Sequence, residues 1–70
     1  MKVGDYIFNK GGNYILILGN IINNPFGHFN IKVLKSENNL WDNKIVSFSI
    51  EYIRRYYRTI TKEEAMLELL

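Results

Sequence analysis

The sequence predicts a mainly β domain: a small, curved antiparallel sheet of four or five strands with a short C-terminal α-helix. Three observations carry this. Residues 28–35 and 44–50 alternate apolar and polar side chains, the period of two that sets one strand face on a core and the other in water. Gly11-Gly12-Asn13 and Asn23-Asn24-Pro25-Phe26-Gly27 are turn sequences between short apolar runs. Thr61-Lys62-Glu63-Glu64 has capping-box spacing, with Thr61 as N-cap and Glu64 three positions on.

Taken in order, residues 3–9 form the first strand, opened by Gly4-Asp5 and closed by Lys10-Gly11-Gly12-Asn13. Residues 14–22 return antiparallel, with Ile15 and Ile17 facing one way and Tyr14, Leu16 and Leu18 the other. A strand apolar on both sides must be covered on both. Gly19 within it marks a bulge or bend. Phe29, Ile31 and Val33 share the buried face of the third strand, opposite His28, Asn30 and Lys32. Residues 36–43 form a polar loop interrupted by Leu40 and Trp41. In the fourth strand Val46, Phe48 and Ile50 alternate with Ile45, Ser47 and Ser49. Residues 51–57 make a helical turn and residues 58–60 a final strand. Ala65, Met66, Leu69 and Leu70 line an apolar stripe on the last helix. A helix this short is unstable alone in water, so it should dock on the second face of the second strand. The expected single core is Ile15, Ile17, Phe29, Ile31, Val33, Val46 and Phe48.

Seventy residues make one small domain, able to bury only about 60% of its unfolded surface. There is no cysteine, hence no disulfide framework and no thiolate metal site. The 47% hydrophobic and 14% aromatic content supplies a core instead. Net charge is +2, unevenly spread: residues 1–58 carry eight Lys/Arg against four Asp/Glu, and residues 59–70 one Lys against three Glu. The opening MKVGDYIF lacks the apolar stretch of a secretory leader, and no run approaches the roughly 20 residues that span a bilayer. The expectation is a cytoplasmic protein with no membrane association. Nine asparagines with abundant Ile, Lys and Tyr, and Ala65 as the only alanine, have AT-rich codons and suggest a low-GC bacterium or its phage.

The strand count, the tight turns, the helical turn before the last strand and the opening Val3-Gly4-Asp5-Tyr6-Ile7 resemble the small SH3-like barrels, including Tudor-like and KOW-type domains. The resemblance covers residues 3–60 as strand order and turn placement, with Val3-Gly4-Asp5 its one local motif. It implies one SH3-like domain over residues 1–70: a barrel over about 3–60 and an appended helix over about 62–70. The chain lacks the long acidic loop that SH3 domains carry after the first strand, which sets proline-rich peptide binding aside. In size and style it also resembles small uncharacterised phage accessory proteins.

Catalytic chemistry has little to build on. His28 is the only histidine and Asp5 and Asp42 its conceivable partners, but no spacing brings them together. Ser47 and Ser49 read as an exposed strand face, and Glu63, Glu64 and Glu68 as capping and solubilising groups on one helix. Gly11-Gly12 reads as a hairpin turn, since no helix follows it to complete a phosphate loop. The expectation is a protein that is not an enzyme and takes no cofactor or metal.

Binding is better supported. Arg54, Arg55 and Arg58 interleave with Tyr52, Ile53, Tyr56 and Tyr57, while Lys32, Lys35 and Lys44 flank the alternating strands. Arginine forks bind phosphates bidentately, and exposed aromatics stack on bases; the same pattern also describes the closed end of a barrel with a solvated rim. Leu40 and Trp41 form either an exposed contact point or a plug folded back on the barrel. The expected function is non-enzymatic binding of a host protein by a phage or mobile-element protein, an inhibitor in counter-defence or host takeover. Its contacts would be Trp41, Leu40, Arg54, Arg55, Arg58 and Lys32. The alternatives are a small nucleic-acid-binding barrel using the arginine cluster, and a small-molecule binder with its site between subunits of a homo-oligomer.

Overall fold

The computed structural model describes residues 1–9 and 16–70. Five strands, β1 (Tyr6–Phe8), β2 (Leu16–Asn23), β3 (His28–Ser36), β4 (Ile45–Ser49) and β5 (Arg58–Ile60), form one antiparallel sheet in the order β4-β3-β2-β1-β5. Among the described residues two α-helices accompany it, α1 (Ile50–Tyr56) between β4 and β5, and α2 (Lys62–Glu68) after β5. The mainly β class and the C-terminal helix are those the sequence predicts. The turn expected at residues 10–13, with Tyr14 and Ile15, lies outside the described residues.

The elements follow local chemistry. Alternation in β3 buries Phe29, Ile31 and Val33 and leaves His28 and Lys32 exposed. Thr61 caps α2: its side chain accepts from the Glu64 N–H at 3.1 Å while the Glu64 carboxylate accepts from the Thr61 N–H at 3.2 Å. Ser49 caps α1 in the same manner, its hydroxyl accepting from the Tyr52 N–H at 3.2 Å. β1 is shorter than expected, because Gly4 sits at φ +98° and turns residues before Tyr6 out of extended geometry.

The single expected core is two, one on each face of the sheet. The inner cluster contains Ile7, Leu16, Ile21, Phe29, Ile31 and Val33, closed by Ile53 and Tyr57 from the α1 segment. Val46 and Phe48 pack against it half-buried. The outer cluster contains Phe8, Leu18 and Ile60 beneath Ala65 of α2, with Tyr6, Ile17 and Leu34 at its margin. Alternation along β1 accounts for the split there, with Ile7 inward and Tyr6 and Phe8 outward.

Strand β2 departs from alternation at a bulge. Leu16 pairs with Ser36 and Leu18 with Lys35, so Ile17 is an extra residue that faces no partner. This bulge turns Ile17 and Leu18 both toward the outer cluster and leaves Leu16 inside. The expectations that Ile17 joins the core of β3 and that Leu16 shares the face of Leu18 are therefore corrected. The next register shift places Gly19 opposite Val33, where a side chain would overlap Ile31 Cγ2 and crowd Leu16 Cδ1. Glycine is needed there because two strands' side chains close over its Cα.

Helix α2 docks on the outer face as predicted, but through one residue of the expected stripe. Ala65 is fully buried, whereas Met66, Leu67, Leu69 and Leu70 are exposed. A small side chain at the contact lets the helix backbone lie close to Phe8, Leu18 and Ile60.

Candidate functional site

One end of the sheet gathers the arginines. β5 pairs antiparallel with β1, putting Arg58 opposite Phe8. Tyr57 ends α1 in extended geometry, its N–H donating to the Ile53 carbonyl at 2.8 Å, and the chain passes straight into β5. Asn9, just past β1, donates from Nδ2 to the Tyr56 carbonyl at 2.6 Å and so fastens the strand end to the helix end. Between them lies an open recess of about 350 Å³ lined by Phe8, Asn9, Arg55, Tyr56, Tyr57 and Arg58.

Its electrostatics are those of two exposed guanidinium groups. The Arg58 guanidinium carbon stands 5.4 Å from the centroid of the Phe8 ring, a cation–π contact that orients the fork. Arg55 occupies the last turn of α1, where a cation is favoured by the negative helix end. Among the described residues, no carboxylate pairs with either arginine. The recess can thus offer planar N–H donors to an anion without first breaking an internal salt bridge.

The remaining predicted contact residues are dispersed. Arg54 is exposed on α1 but outside the lining of the recess. Lys32 is exposed in the middle of the sheet, with Asn20 of β2 on one side and Ile45 of β4 on the other. Leu40 and Trp41 occupy the β3–β4 loop. The Trp41 N–H donates to Ser36 Oγ at 2.9 Å, and that buried hydroxyl donates to Asp42 Oδ1 at 2.6 Å. Trp41 is 37% exposed and belongs to neither core cluster, so it is not a barrel plug. Lys44 Nζ lies 5.7 Å from the centre of its ring.

The tyrosines beside the arginines are packing residues. Phe48 and Tyr52 have ring centroids 4.7 Å apart, Tyr52 and Tyr56 4.9 Å, and Phe48 and Tyr57 5.8 Å. These rings cover the inner core and are not a free platform for bases. Lys35 is likewise engaged, its Nζ donating to the Glu68 carbonyl at 3.2 Å.

Residues weighed for catalysis stay apart. His28 is exposed opposite Ser49, Asp5 Oδ2 accepts from the Lys2 N–H, and Asp42 is held by Ser36. Among the described residues no group of three His, Asp or Glu is placed to hold a metal ion, and no helix is long and apolar enough to cross a membrane.

Two features escaped the sequence reading. Asn9 passed as the end of a strand, because its partner carbonyl lies 47 positions away. Phe26 passed as a turn residue, yet it is fully exposed and holds φ 54°, an uncommon conformation for a bulky side chain. The turn signal Asn-Pro-Phe-Gly located the bend but not the direction of the ring. No family model, curated protein or solved structure matches this chain.

Proposed function

We propose that this chain is a non-enzymatic, cytoplasmic binding domain of SH3-like architecture, from a phage or mobile element of a low-GC bacterium, that engages a host protein. Strand order β4-β3-β2-β1-β5, with a helical segment between β4 and β5, supports the SH3-like reading. The observation that carries binding is the recess holding Arg55 and Arg58 without a described carboxylate partner. Trp41, Leu40 and Lys32 are further contact points at other places on the surface. An inhibitory role in counter-defence or host takeover accords with the chain's size and style.

A protein partner is favoured over nucleic acid by the distribution of cations. Single strands of DNA or RNA are followed by a continuous basic groove with stacking aromatics. Here Lys32 lies on the open sheet, Lys35 holds α2, and Tyr52, Tyr56 and Tyr57 are packed. Two arginines at one recess suit a discrete anionic group on a folded or extended protein.

The test is capture from host lysate, with and without nuclease, by the wild type and by an Arg55→Ser/Arg58→Ser double variant. A defined protein retained after nuclease treatment and lost with the double variant supports the proposal. Salt-sensitive, arginine-dependent binding of short DNA or RNA at about 150 mM salt, with capture abolished by nuclease, overturns it.

A further inference from the structure

We infer that the Arg55–Arg58 recess is a site for an acidic residue of a peptide segment, taking the side-chain carboxylate together with a neighbouring backbone N–H. This rests on the protein-binding reading above and specifies its ligand.

The first line of support is the donor inventory. The guanidinium groups of Arg55 and Arg58 present planar forks that match a carboxylate bidentately, and Arg58 is held against Phe8. The second is an acceptor. Asn9 uses its Nδ2 for the Tyr56 carbonyl, which leaves Oδ1, at the wall of the same recess, to accept a hydrogen bond. A phosphate monoester dianion has no donor to offer that oxygen, whereas a peptide has one at every residue but proline. The third is the helix end: the recess lies at the C-terminus of α1, where the partial charge is negative and carbonyls collect. That field opposes a dianion more than a monoanion. Among the described lining residues there is no helix N-terminus, the usual phosphate site. The volume of about 350 Å³ is at the small end of ligand pockets of roughly 300–1,000 Å³ and admits a side chain with its flanking backbone.

The experiment is an NMR titration of the isotope-labelled full chain with three probes at matched ionic strength: N-acetyl-glutamate amide, N-acetyl-glutamine amide and methyl phosphate, at about pH 7.5, where the phosphate monoester is a dianion. The glutamate probe should saturate in the range of about 1–10 mM, expected for a single-residue ligand. It should shift the Arg55 and Arg58 Nε–H signals and the Asn9 side-chain amide. The neutral glutamine probe should bind about tenfold more weakly or worse, and so should methyl phosphate. Arg55→Ser and Arg58→Ser should each lower affinity for the glutamate probe about tenfold or more with the remaining spectrum unchanged. If Arg58→Ser disturbs the fold through its contact with Phe8, Arg58→Lys tests the same point by removing the fork while keeping the charge. Equal binding of the glutamine probe, tighter binding of methyl phosphate at the same signals, or no shift at these groups overturns the assignment. Should the probes fail while nuclease-resistant, arginine-dependent capture persists, the ligand class is wrong and the protein-binding function stands. If capture itself depends on nucleic acid, the function falls as well.

Discussion

Lys35 Nζ donates a hydrogen bond to the backbone carbonyl of Glu68 across 33 positions of sequence, at 3.2 Å. The contact ties β3 to the last turn of α2, where the helix leaves carbonyls without intrahelical partners and carries its negative end. A lysine that reads in sequence as a candidate phosphate contact is therefore a helix anchor. It reaches α2 because the bulge at Ile17 sets Leu18, beneath that helix, opposite Lys35.

Replacing Lys35 by Met should keep the stem's apolar contacts and remove the charge and the hydrogen bond. The expected loss is about 0.3–1 kcal/mol of stability, with faster amide exchange confined to the last turn of α2. Urea denaturation with hydrogen exchange measures both. A variant of wild-type stability and exchange would mean that the contact contributes nothing in solution.

Ala65 and Met66 are adjacent on α2 but should behave in opposite ways. Ala65→Glu drives a charge into the cluster of Phe8, Leu18 and Ile60 and should unfold the helix from the sheet or the whole domain. Met66→Ser exchanges one exposed side chain for another and should move stability by no more than about 0.5 kcal/mol. Truncation after Thr61 should resemble the first change, because it uncovers the same cluster. Thermal melts of the three proteins decide this; an unchanged melt for the truncated chain would contradict the docking of α2.

Gly19→Ala should cost about 1–3 kcal/mol, since its methyl would meet Ile31 and Leu16 within the inner cluster. Combining it with Ile31→Ala, which removes the Cγ2 methyl that the new Cβ would meet, should cost less than the sum of the two single changes. The difference is read from a double-mutant cycle in denaturant. Strict additivity would show that the two positions do not touch.

Phe26→Asn should stabilise the protein by roughly 1 kcal/mol, because asparagine tolerates the positive φ that phenylalanine holds at a cost, and the ring buries nothing. The melting temperature should rise. A fall would imply that the ring has a packing role in solution.

Ser36→Ala should cost about 1–3 kcal/mol, since the buried hydroxyl serves both the Trp41 N–H and Asp42. Trp41 is the sole tryptophan, so its emission reports the loop directly. A red shift in emission, before any global unfolding, is expected as the loop loosens. Unchanged emission and stability would show that other contacts hold the loop.

How much of this was legible beforehand depends on the range of the interaction. Alternation in β3, the capping box at Thr61 and Glu64, the helical turn of α1 and the short β5 are set by neighbours within a few positions, and a single sequence displays them. The capping hydroxyl of Ser49 is equally local, but it lacked the acidic partner that makes a capping box conspicuous. The candidate contact residues were legible as types: arginines among tyrosines, and a Leu-Trp pair in a polar loop. Which of them stand together was not.

Backbone periodicity and capping are short-range effects, and they made the class of the fold, the placement of most strands and the start of α2 readable in advance. The rest came from tertiary packing. One extra residue at Ile17 brought Leu16 into the inner cluster and set Ile17 at the margin of the outer one, against their expected faces, while α2 sits over Leu18 through Ala65 with Met66 left exposed. The pairing of β5 with β1 set Arg58 over Phe8 and brought Asn9 to the end of α1, while Tyr52, Tyr56 and Tyr57 became packing. These outcomes hang on strand register, which is settled by how side chains from distant positions fill a common volume, and no local pattern encodes that.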